Sequence, residues 1–156
     1  MKERSVSHAT FEIERGYPVP PARVFAAFSD PVKKRRWFRE EEASETLEFV
    51  MDFRVGGRER SSFRIKGGPV DGMICTNEST YLDIVADSRI VLAYSMAIGA
   101  HPFSASLATF EMLPAETGTR FIFTEQGAFF EGADSPEGRT EGWRLLLERL
   151  ATELKG

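Results

Sequence analysis

The pattern that most constrains this chain is a series of period-two segments that ends in one long helical stripe. Leu47, Phe49, Met51, Phe53 and Val55 recur at every second position, which puts them on one face of a strand. Gly56-Gly57 then supplies the positive φ angles of a tight hairpin turn. The return strand sets Glu59, Ser61, Phe63 and Ile65 against Arg58, Arg60, Ser62 and Arg64. Gly67-Gly68-Pro69 is the next turn, a long strand covers about 70 to 85, and Asp87-Ser88 reverses it. Ile90, Leu92, Tyr94, Met96 and Ile98 share one side of a strand over 89 to 98, which Gly99 to Pro102 breaks. A last hairpin joins 104 to 113 with 119 to 128 across Pro114 to Gly118. After it, Ser135-Pro136-Glu137 offers an N-cap, a first-turn proline and an acid at the positive end of a helix dipole. Trp143, Leu146, Leu147, Leu150 and Leu154 follow at spacings of three and four. The predicted helix covers about 136 to 154, roughly 28 Å of length.

The N-terminal part supplies one more strand and two short helices. In residues 8 to 15, Phe11 and Ile13 face one way and Thr10, Glu12 and Glu14 the other, as in a half-buried strand. Pro18-Val19-Pro20-Pro21 stops it. Val24, Phe25 and Phe28 predict a helix over about 21 to 28. Asp30-Pro31 opens a second helix that runs into Trp37-Phe38, and 39 to 45 reads as a charged loop. The order β-α-α-β6-α predicts an α+β chain forming one domain over 1–156. Its antiparallel meander has one apolar face, and the only element long and apolar enough to cover that face is the last helix. A curved sheet cannot touch a straight helix along its whole length, so a cavity is expected between them.

Composition narrows the classes of function. Phe accounts for 13 residues against 3 Tyr and 2 Trp, and a ring without a polar handle belongs inside. Trp37, Phe49, Phe53, Phe63, Met73 and Cys75 fall on predicted inner faces. So do Tyr94, Met96, Phe110, Phe123, Trp143 and Leu147. Each reads equally as core or as pocket wall, but together they exceed what one helix can cover, which favours a ligand site. Cys75 is the only cysteine, so an internal disulfide and a cysteine-based zinc site are excluded. His8 and His101 read as exposed loop residues, and no metal site is predicted. No cofactor is implied either, because Gly56-Gly57 and Gly67-Gly68 lack the residues of a nucleotide loop. A net charge of −4 argues against nucleic-acid binding. No run approaches the roughly 18 apolar residues of a membrane span. Met1 to Val6 has no apolar core of a secretory signal, and the expected location is cytoplasmic.

Two features carry possible chemistry. The stretch 33–39 is basic, with Lys33-Lys34-Arg35-Arg36 and then Arg39. It reads either as a solvated helix face or as a docking patch for an acidic partner. Glu125 follows Phe121 and Phe123 at period two and points toward the predicted cavity mouth. A carboxyl in such a place has a raised pKa and is a weak candidate for acid or base catalysis; a paired or solvated edge carboxylate is the other reading.

The arrangement resembles START-like (SRPBCC) domains of helix-grip fold, and among them the family named for the C-terminal domain of the heat-shock protein 90 ATPase activator. The residues that carry the resemblance begin with Tyr17-Pro18-Val19-Pro20-Pro21-Ala22-Arg23-Val24-Phe25-Ala26-Ala27-Phe28 and Asp30-Pro31 leading to Trp37-Phe38. They continue with Arg54-Val55-Gly56-Gly57, Asp83-Ile84-Val85 and Arg89-Ile90-Val91-Leu92. Gly118-Thr119-Arg120 and Gly142-Trp143 with Leu146, Leu147 and Leu150 complete them. The resemblance implies a cavity for a small apolar or amphipathic ligand. It also leaves open an enzyme of the polyketide cyclase or dehydratase kind acting through Glu125, and a chaperone co-factor with a protein partner. Exposed hairpin edges make a homodimer a further expectation.

Overall fold

The computed structural model describes residues 4–131 and 134–156. Strand β1 (Val6–Tyr17) is followed by helices α1 (Pro21–Ser29) and α2 (Pro31–Phe38). Six strands come next: β2 (Ser44–Met51), β3 (Arg58–Ile65), β4 (Ile74–Val85), β5 (Arg89–Ile98), β6 (His101–Ala115) and β7 (Gly118–Phe130). Helix α3 (Pro136–Leu154) ends the fold. The strands form one curved antiparallel sheet in the order β1-β7-β6-β5-β4-β3-β2. The two short helices therefore carry the chain from one edge of the sheet to the other.

Local chemistry places the helix starts. The Asp30 carboxylate accepts from the backbone N–H of Val32 and Lys33, and Pro31 follows it. Ser135 accepts from Gly138 N–H ahead of α3. Helix α3 lays Trp143, Leu147 and Leu150 against Phe110, Phe121 and Phe123 of the sheet and Phe28 of α1. Leu147 and Leu150 are fully buried. The Tyr17 hydroxyl ties β1 to the same helix by donating to the Leu147 carbonyl at 3.0 Å.

The alternation read from Leu47 to Val55 is not one strand. The register slips between Thr46 and Glu48, which turns Leu47 outward to 41% exposure, and β2 ends at Met51. Residues 52 to 57 form a loop instead. Within it Gly56 has a positive φ of 84°, whereas Gly57 does not. Gly57 is required for another reason: a Cβ there would lie 2.1 Å from the Asp52 carbonyl oxygen. The loop is tied to β4 by bonds from Gly56 N–H to the Tyr81 carbonyl and from Tyr81 N–H to the Gly57 carbonyl.

The strand expected from about 70 begins only at Ile74, because Gly67, Gly68 and Gly72 adopt positive φ and extend the turn. The last hairpin is longer than expected, with Ala115 still paired to Gly118. His8 and His101 are exposed but lie in β1 and at the start of β6, where each pairs across a ladder.

Candidate functional site

A cleft of about 300 Å³ opens between α3, the end of α2 and the strands β3 to β5. Its apolar walls come from Phe38, Phe63, Met96, Trp143 and Leu146. The sequence pattern explains the space on the helix side. Gly138 and Gly142 lie one turn apart on α3 and both line the cleft, and nothing stands within 4 Å of where a Gly142 Cβ would be. Polar groups enter from Asn77, Tyr94 and three arginines, Arg39, Arg139 and Arg149.

Behind this wall lies a buried polar network centred on Glu125. The carboxylate is fully buried and accepts from the Tyr94 hydroxyl at 2.5 Å, the Ser106 hydroxyl at 2.8 Å and the Arg139 guanidinium at 2.9 Å. Arg139 also donates to Ser104 at 2.6 Å and to Asp134 at 3.0 Å. Burial opposes its charge, but Tyr94, Glu125 and Asp134 outweigh that and hold it ionised. Burial and then the Glu125 charge push the Tyr94 hydroxyl well above its ordinary pKa. That hydroxyl also accepts from Arg139 at 2.8 Å and from the Trp143 indole N–H at 3.3 Å. Glu125 therefore faces inward, as its spacing predicts. It stands behind Tyr94 and Arg139 rather than at the cleft mouth, and both of its oxygens are engaged.

A second buried pair joins α2 to β3. Lys34 donates to Glu59 at 2.9 Å, and both are under 5% exposed. Glu59 also accepts from the Tyr81 hydroxyl. This corrects the reading of the whole stretch 33–39 as a solvated face. Lys34 points inward over the Phe38 ring at 4.8 Å. Arg36 is paired with Glu153 of α3 at 2.7 Å, and Arg39 is buried. Only part of the run is exposed, because the amphipathic turn that buries Trp37 and Phe38 carries Lys34 inward with them.

Of the expected wall residues, Phe63, Tyr94, Met96 and Trp143 meet at the cleft. Phe110, Phe123 and Leu147 are packed core behind it, with the Phe123 and Trp143 rings 4.3 Å apart. Trp37 is core as well and donates its indole N–H to the Ala27 carbonyl. Phe53 packs on Phe25 and Tyr81 and does not line the cleft, and Phe49 is half-buried against the core. Met73 sits in the turn before β4 at 43% exposure, because the glycine-rich turn displaces it from any strand face. Cys75 is buried in β4, and burial pushes its thiol pKa up to about 11. The spacing rules do not single out Arg39, Arg139, Leu146 or Arg149 as cleft residues. Arg139 carries a signal all the same, since it extends the stripe of Trp143 and Leu147 backward by one turn of helix.

Among the described residues no group of three or more metal-ligating side chains converges, and no helix is long and apolar enough to cross a membrane.

A curved antiparallel sheet gripping a C-terminal helix, with a cleft between the two, defines a START-like α+β fold. The chain belongs to the family described as activator of Hsp90 ATPase homolog 1-like protein, whose model matches residues 18–155. It is similar to a solved protein from Rhizobium leguminosarum, with 38% identity, 99% of both chains covered and a TM-score of 0.89. It is also similar to Mll3558 from Rhizobium loti, with 52% identity over 96% of this chain and 99% of that one, at a TM-score of 0.86. An AHSA1-like protein from Aeromonas hydrophila, 19% identical with 94% and 92% covered and a TM-score of 0.69, shares the fold. No protein of curated function matches the chain at a significant level.

Proposed function

We propose that this protein binds a small amphipathic molecule in the cleft between α3 and β3 to β5. The observation that carries the reading is the composition of that cleft. Aromatic and aliphatic walls from Phe38, Phe63, Met96, Trp143 and Leu146 enclose about 300 Å³, at the low end of the size range of small-molecule sites. A few fixed polar groups converge on the same space, the pattern that orients a ligand while its apolar body supplies affinity. Binding is sufficient for this reading, and no chemical step is needed. The groups best placed for catalysis, Glu125 and Tyr94, have their oxygens committed to one another and to Arg139.

Tryptophan emission tests the proposal. Trp143 lines the cleft, whereas Trp37 is core. Titration with a medium-chain amphiphile should shift the emission of the wild type and of Trp37→Phe, and most of that shift should vanish in Trp143→Phe. A shift that persists undiminished in Trp143→Phe places the binding site elsewhere.

A further inference from the structure

Arg39 differs from the other two cleft arginines. Arg139 has Glu125 and Asp134 as partners, and Arg149 has Glu41 at 3.5 Å together with the backbone carbonyls of Glu40 and Arg36. Arg39 has no such partner among the described residues. It follows the last turn of α2, is 7% exposed, and its Nε is buried without a hydrogen-bond acceptor. What surrounds the guanidinium is aromatic: the ring centroids of Phe38 and Phe63 both lie 4.3 Å from it. Ring faces attract a cation, but they accept none of its N–H groups in the way a carboxylate does. Burial lowers the Arg39 pKa to about 10, with Cys75, Glu41 and Glu59 acting against it without forming a pair. The side chain nevertheless stays charged near neutral pH, so its donors require an acceptor.

Resting on the cleft reading above, we infer that the ligand is an organic acid. Its oxyanion, a carboxylate by shape, meets the Arg39 guanidinium between Phe38 and Phe63, and its apolar remainder lies on Met96, Trp143 and Leu146. A planar carboxylate matches the donor fork of arginine, which an alcohol cannot do. An amine would meet an unpaired cation. The two acids of the cleft lining, Glu41 and Asp134, each already face an arginine and offer an amine less.

The test compares octanoate, 1-octanol and octylammonium by titration calorimetry at neutral pH. The wild type should bind octanoate at least about tenfold tighter than 1-octanol, and octylammonium weakest. Arg39→Met keeps the apolar stem and should lose that preference, so that octanoate no longer binds it tighter than 1-octanol. Arg39→Lys should restore part of it, because an ammonium supplies charge without the fork. In the unmodified protein, the Arg39 Nε–H resonance should move with octanoate and stay in place with 1-octanol, a readout that does not depend on the variants folding. Equal affinity for acid and alcohol, or an acid preference that survives Arg39→Met, overturns the assignment of the anion to Arg39 and leaves the cleft reading in place. Failure of all three probes to bind overturns the cleft reading itself.

Discussion

At the scale of single residues, the interior is set apart by the charges it holds. Glu125, Arg139, Lys34, Glu59 and Arg39 are all more than nine-tenths buried. In the pairs Glu125–Arg139 and Lys34–Glu59, removing one partner leaves an uncompensated charge, at a cost of roughly 3 to 5 kcal/mol. Period two makes the inward direction of Glu125 legible, because Phe121 and Phe123 precede it on the same face. Its partners are not legible, since Tyr94, Ser106 and Arg139 come from other elements. Lys34 is hidden inside a basic run whose average character is exposed. Cys75 gives a sharper residue-level prediction. Its folded pKa of about 11 lies above the ordinary value of 9.0 because burial disfavours the thiolate. The folded state therefore holds the proton more tightly. The stabilisation is complete below about pH 9 and is lost as pH rises from 9 toward 11. Urea unfolding at pH 8.5 and 10.5 should show the wild type losing about 2 kcal/mol more than Cys75→Ala over that interval. Equal losses in the two proteins would show that Cys75 is not held in its neutral form by the fold.

At the scale of elements, caps and stripes are the most legible features. Asp30-Pro31 and Ser135-Pro136 begin helices where the local chemistry says they should, and α3 spans the residues its stripe predicts. The loop between β2 and β3 is less legible. A glycine pair announces a turn, but it does not tell which glycine needs its φ and which needs its missing Cβ. Gly56 needs a positive φ, where alanine is strained by roughly 1 to 2 kcal/mol. Gly57 faces the Asp52 carbonyl at a distance no Cβ tolerates, so alanine must push backbone away and disturb the bonds to Tyr81. Gly57→Ala should therefore lower the melting temperature by more than Gly56→Ala does. The reverse order would contradict this division of roles. Slips of the same kind explain Leu47 and Met73: a bulge and a three-glycine turn shift the register, and alternation cannot count the extra residues.

At the scale of the whole molecule, the sheet, its order of elements and the covering helix follow from hydrophobic periodicity. The space left between them does not. Most of the aromatic surplus is core: Phe28, Phe110, Phe121, Phe123 and Trp37 fill the region under α1 and α3. The cleft occupies the other end of α3, where Gly138 and Gly142 thin the helix and arginines replace leucines. Packing volume is a sum over distant elements, and no local pattern reports it. The central claim is that this end of the helix grips a small amphipathic acid. The most direct test is a nuclear magnetic resonance titration of labelled protein with octanoate. The account predicts shifts at the Met96 methyl, the Leu146 methyls and the Trp143 indole N–H, with the core methyls of Val24 and Ile90 unmoved. Shifts centred instead on Val24 and Ile90, or no shift at millimolar octanoate, would contradict it.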